Sequence, residues 1–143
     1  MEDTSQEIDR AAAAESSPAP DSAAASLAAR SLEKLLHDHK GIDPAVLDLR
    51  ELGSWTDFFV VTTVTSEAHM DGLERHIKDF CREREIEILR RSRKPEGMED
   101  EWRIIDLGLV VVHLMSRRAR SFYDLERLYS MALTKPPAEA DGR

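Results

Sequence analysis

The apolar patterns along this 143-residue chain run in the order α-β-β-α-β-β-β-α, which specifies an α/β fold: a five-stranded mixed sheet with flanking helices. Helical periodicity shows in Leu27, Leu32, Leu35 and Leu36, and again in Met70, Leu73, Ile77 and Phe80. Short runs rich in β-branched and aromatic residues mark the strands, and Phe58 to Val64 is nearly unbroken in hydrophobicity.

The first helix is expected over about 23 to 40, with Gly41 as its C-terminal cap and Asp43-Pro44 ending it. Ala45 to Leu49 reads as a strand. Phe58 to Val64 reads as another, covered on both faces in the sheet centre. Ser66 is placed to cap a helix of about 67 to 84, with its apolar stripe inward and Glu74, Lys78, Asp79 and Arg82 outward. Ile86 to Leu89 follows as a strand, making 58 to 89 a right-handed, parallel β-α-β crossover. Trp102 to Asp106 and Leu109 to Met115 form an antiparallel hairpin turning at Leu107-Gly108. Ser121 and Asp124 make a capping box for the last helix, whose apolar face is Leu125, Leu128, Tyr129 and Ala132.

Residues 1 to 22 are rich in Ala, Ser, Pro and acids, with Ile8 the sole large aliphatic after Met1. Such a segment cannot offset its ordering entropy and reads as a disordered tail. Residues 136 to 143 read the same way, leaving one domain over 23 to 135. No apolar run approaches the ~20 residues of a membrane span, and the acidic start lacks a signal or transit pattern. With Cys81 alone no internal disulfide forms, which indicates a reduced, cytoplasmic protein. Most of the formal charge of −8 sits in the two tails, and the mildly acidic domain lacks the basic stripe that duplex nucleic acid demands. A basic protein is the better-matched partner.

Catalytic constellations are wanting. The five histidines (His37, His39, His69, His76 and His113) do not fall at the spacing of a tetrahedral metal set. His113, on an apolar strand, reads as a bonded, partly buried imidazole, and Cys81 as a small core residue. The basic runs Arg90 to Lys94 and Arg117 to Arg120 read either as solvated element ends or as peripheral contacts to RNA.

From Glu96 to Tyr129 the chain carries Glu96-Gly97, Trp102, Asp106-Leu107-Gly108, Val111-Val112-His113 and Arg120-Ser121-Phe122-Tyr123-Asp124-Leu125-Glu126, with Asp48, Asp57 to Val61 and Ser66 upstream. This string resembles the ribosomal silencing factors, the Iojap-like family, over roughly residues 30 to 132. The resemblance implies a nucleotidyltransferase-like fold without the chemistry. Such enzymes hold two Mg²⁺ on paired carboxylates, whereas here Gly53-Ser54 is present but Asp57 is followed by Phe58 and Phe59. Neither an enzyme nor a cofactor is expected. The family instead docks on large-subunit ribosomal protein fourteen and sterically blocks small-subunit joining, repressing translation under nutrient limitation. A large-subunit assembly or adaptor factor would use the same interface.

Carried onto this chain, the docking residues are Glu96, Trp102, Ile104, Asp106, Leu107, Leu109, Tyr123 and Glu126. Trp102 stands either as an aromatic anchor ringed by acids or as a core tryptophan covering the sheet edge. Strand alternation places Ile104 and Asp106 on its face, and Asp106 in solvent would pair with a basic partner. Tyr123 and Glu126, three apart, are expected as helical neighbours supporting or rimming the face. Where the family commonly has an aspartate after the turn glycine this chain has Leu109, and its Leu128-Tyr129 replaces Leu-Trp. A homodimer of the free protein through a sheet edge would hide the same face.

Overall fold

The computed structural model describes residues 20–93, 97, 98 and 100–134. Its elements are α1 (Pro20–Asp38), β1 (Ile42–Asp48), a 3₁₀ turn (Arg50–Leu52), β2 (Phe58–Val64), α2 (Glu67–Glu83), β3 (Arg90–Arg93), β4 (Trp102–Asp106), β5 (Val110–Ser116), α3 (Arg117–Tyr123) and α4 (Leu125–Thr134). The strands form one mixed sheet in the order β1-β2-β5-β4-β3. β2 runs parallel to β5 and antiparallel to β1, and β4 is antiparallel to both β5 and β3.

Each face of the sheet has its own core. On one, α1 and α2 cover Phe58, Val60, Val64, Ile105, Val112 and Leu114 through Leu32, Leu36, Leu73 and Ile77. On the other, Leu49, Phe59, Val61, Val111, Met115 and Ala119 are covered thinly, by the 3₁₀ turn, α3 and α4. All seven residues of β2 are buried, as its unbroken hydrophobicity requires.

Several expectations need correction. The left-handed residue ending α1 is Lys40 (φ 74), not Gly41. Gly41 donates to the Leu36 carbonyl at 2.6 Å, and an added Cβ would stand 2.6 Å from Thr62 Oγ1, so glycine is there for close approach. β1 starts earlier than Ala45, and its register slips between Ile42 and Ala45, which lets an edge strand accommodate Pro44. The strand expected at 86–89 lies at Arg90–Arg93. Ile86 instead closes α2, donating to the Cys81 carbonyl after left-handed Glu85, and Ile86 and Ile88 pack on the first core. β3 has the direction of β2 but sits at the far edge, with β5 and β4 between them. β2's parallel neighbour is therefore β5.

The Ser121–Asp124 capping box does not form. Ser116 caps α3, its Oγ accepting from Ala119 N at 3.0 Å, and Ser121 lies inside that helix. Left-handed Asp124 (φ 44) breaks the chain and caps α4 through Arg127 N. Leu125 and Tyr129 pack on the second core as expected, whereas Leu128 is 59% exposed; the side chain of Ala132 is outside the described residues. Among the described residues no helix is long and apolar enough to cross a membrane.

Candidate partner-docking face

Alternation along β4 splits its side chains between the two cores. Arg103 and Ile105 are buried toward α2, while Trp102, Ile104 and Asp106 are half-buried on the thinly covered face. Arg103, 4% exposed, is held by Glu74 at 2.8 Å and by Asp71, with Glu67 at 4.0 Å; Glu74, expected to face outward, is therefore buried as the partner of this arginine. Three carboxylates on α2 thus fix β4 from behind, and its other side is free to carry a contact surface.

That surface is aromatic. Trp102 Nε1 donates to His113 Nδ1 at 3.1 Å, and the indole lies 4.8 Å from the Tyr123 ring. His113 meets Phe59 edge-on at 4.4 Å, Phe59 meets Tyr129 at 5.2 Å and Trp55 at 6.4 Å, and Tyr123 meets Phe122 at 4.9 Å. The rings make a ribbon from Trp55 to Phe122 across β2, β5 and β4. Its ends are the most open: Trp55 is 63% and Phe122 78% exposed. Phe59 and His113, in the middle, are each 5% exposed, so the open aromatic surface is Trp55 at one end and Trp102, Tyr123 and Phe122 at the other. Exposed aromatic clusters of this kind mark contact sites.

The loop carrying Trp55 is tied to the hairpin turn. Thr56 Oγ1 donates to the Gly108 carbonyl at 2.9 Å, and the amides of Asp57 and Phe58 both donate to the Leu109 carbonyl at 3.0 Å. At the other end, Glu101 holds Arg118 in an ion pair and accepts from Ser116 Oγ at 2.8 Å. The Arg118 guanidinium and Ser116 hydroxyl hold the Glu101 carboxyl down to about 2.

The eight expected site residues do not form one patch. Trp102, Ile104, Asp106 and Tyr123 share the aromatic face, and Asp106 Oδ1 also accepts from Gly108 N at 2.9 Å, shaping the turn. Leu107 faces the opposite core, and Leu109 borders an apolar hollow with Ala24, Ala28 and Ile86 beside α1. Glu126 is not a helical neighbour of Tyr123, because Asp124 separates their helices. It grips Arg120 at 2.9 Å, which also donates to Thr63 and to the Ile42 carbonyl. Glu96 lies outside the described residues.

Trp102 satisfies both readings, as a half-buried cover on the second core with part of its indole outward. His113 is buried and bonded, and Cys81 is a core residue whose thiol burial pushes up to about 11. Sequence reasoning overlooked Trp55 and Phe122 as surface aromatics, whereas Phe59 is buried, as the reading of β2 requires. A tryptophan in the Gly53-Ser54-Trp55-Thr56 turn was the available signal, since a turn offers no core to receive it.

Residues 20–142 match the family described as "Ribosomal silencing factor during starvation". The ribosomal silencing factor of Treponema pallidum is 39% identical over 108 residues, covering 74% of this chain and 93% of that protein. That of Bacillus subtilis is 32% identical over 105 residues, covering 73% and 83%. A crystal structure of a Chromobacterium violaceum protein aligns with a TM-score of 0.63 at 30% identity, covering 73% of this chain and 85% of that one.

Proposed function

The chain belongs to the ribosomal silencing factor family, and from that premise we propose that it lowers translation by docking on the large ribosomal subunit through its aromatic face. The partner in this reading is large-subunit ribosomal protein fourteen, and the bound domain occupies the space where the small subunit would join. No bond is made or broken, so neither cofactor nor catalytic residue is needed, and the work is done in the cytoplasm. The nucleotidyltransferase-like sheet serves only as a rigid platform.

What carries the proposal is the aromatic group Trp102, Tyr123 and Phe122, half-buried to exposed, with exposed Trp55 joined to it through buried Phe59 and His113. Rigid aromatic side chains supply much of the energy of protein interfaces because they bury large area at small entropic cost. Acidic Asp106 shares the face, suiting a basic ribosomal protein, and exposed Arg117 stands at the rim, where ribosomal RNA would be met.

The test is co-sedimentation with separated large subunits, separated small subunits and joined ribosomes. Large subunits alone should retain the protein. Trp102→Ala, kept only if it melts cooperatively, should weaken retention about thirtyfold, the equivalent of ~2 kcal/mol. Translation should fall when the protein meets separated subunits and fall far less when they are already joined. Equal inhibition of both would sink the steric mechanism, and retention without inhibition would favour an assembly role. Sedimentation of the free protein shows whether a homodimer hides the face.

A further inference from the structure

We propose that His113 is the positioning residue of the docking face, fixing the orientation in which the Trp102 indole meets its partner. The proposal rests on the docking reading above and deepens it.

The register makes the contact a diagonal one. Trp102 lies directly across from Met115 and His113 directly across from Ile104, so the indole leans along β5 to reach the imidazole. What holds it there is the 3.1 Å bond from Trp102 Nε1 to His113 Nδ1. An indole nitrogen only donates, so Nδ1 is the accepting nitrogen of this bond.

His113 is itself immobile. It is 5% exposed in an interior strand, and Phe59 stands edge-on against its ring at 4.4 Å, backed by Tyr129 at 5.2 Å. The Tyr123 ring also packs against the indole, 4.8 Å away. A half-buried tryptophan with its nitrogen anchored and its ring faced has lost its rotamer freedom before any partner arrives, and such preorganisation reduces the ordering cost of binding. A leucine at position 113 would fill the strand interior equally well, yet it would offer no acceptor. The imidazole is what a docking tryptophan needs there.

The experiment has two arms. In the first, Trp55→Phe leaves Trp102 as the sole tryptophan, and time-resolved fluorescence anisotropy reads its motion in the free protein. His113→Leu should add a fast component to the anisotropy decay. His113→Asn, whose side-chain oxygen occupies nearly the position of Nδ1, should remove most of it. In the second arm, affinity for isolated large subunits is measured alongside melting temperature. His113→Leu should weaken binding roughly three- to tenfold, the size expected for ordering one side chain. In a Trp102→Phe background, which keeps a ring and lacks the N–H, the same substitution should change affinity less than twofold.

An unchanged anisotropy decay in His113→Leu overturns the positioning role whatever happens on the ribosome. So does an equal loss of affinity in both backgrounds, which would make His113 a purely structural residue. A folded Trp102→Ala protein that binds as tightly as the parent, with His113→Leu still loosening the indole, would leave the positioning intact and overturn the docking reading instead.

Discussion

Replacing Arg103 by methionine should destabilise the domain far more than the loss of a surface charge would. The guanidinium is 4% exposed and meets three carboxylates. Two of them, Asp71 and Glu67, have side chains about half exposed and regain water when the arginine leaves, so their share is small. Glu74 is different: it is 8% exposed and, among the described residues, keeps Lys78, at 3.4 Å, as a replacement partner. Stranding a buried carboxylate costs ~3–5 kcal/mol, and Lys78 places this case near ~3 kcal/mol. For a domain of this size that is a fall of roughly ten to fifteen degrees in melting temperature. Urea denaturation of the parent, Arg103→Met, Glu74→Leu and the double variant gives the cycle. The double variant should recover to within ~1 kcal/mol of the parent, because removing both charges leaves no orphan. If Arg103→Met alone loses less than ~1 kcal/mol, or if adding Glu74→Leu recovers nothing, the buried pair does not hold β4 against α2 as described.

Three further outcomes are expected. Gly41→Ala should cost ~1–3 kcal/mol by driving a methyl into Thr62 and the Leu36 carbonyl, whereas Lys40→Gly should gain ~1 kcal/mol by relieving a positive φ; paired melts of the two variants decide it. Because the Glu101 carboxyl is depressed to about 2 in the folded protein, its pairing with Arg118 stabilises fully above the unfolded carboxylate range and is lost as pH falls. The stability gap between the parent and Glu101→Gln should therefore be constant near neutrality and close between pH ~4.5 and ~2 in an acid titration. Trp55→Ala should leave the melting temperature within a few degrees, since the ring is 63% exposed, yet weaken large-subunit binding about tenfold; unchanged binding would exclude Trp55 from the docking face.

The two long helices, the buried β2 and the hairpin were legible because each carries its periodicity locally. Ser66 was legible as a cap for the same reason. The sheet order was not, because nothing near Phe58–Val64 says that its parallel neighbour will be Val110–Ser116. Ile86 and Ile88 read as a strand since their apolar content is real, but they serve a helix end and a core, and the pairing begins only at Leu89, which donates to the Asp106 carbonyl. Ser121 and Asp124 matched a capping pattern that Ser116, five residues earlier, had pre-empted. At the docking face, alternation grouped Trp102, Ile104 and Asp106 correctly. Leu107 and Leu109, which came from the resemblance rather than from alternation, and Glu126, paired with Tyr123 by helical spacing, lie off that face, beyond a turn or a helix break where spacing no longer measures proximity.

The sheet order also sets when the protein becomes competent during its own synthesis. β5, the last strand to be translated, occupies the middle of the sheet between β2 and β4. Without it β1 has only β2 and β3 only β4 as hydrogen-bonded neighbours, and the sheet is split into two pairs. Phe59 and Trp102, made forty-three residues apart on those separate ribbons, come together only through His113 on the strand inserted between them. A chain lacking residues 110–116 therefore cannot bring Phe59 and Trp102 together, so the proposed docking face exists only once the sheet is complete.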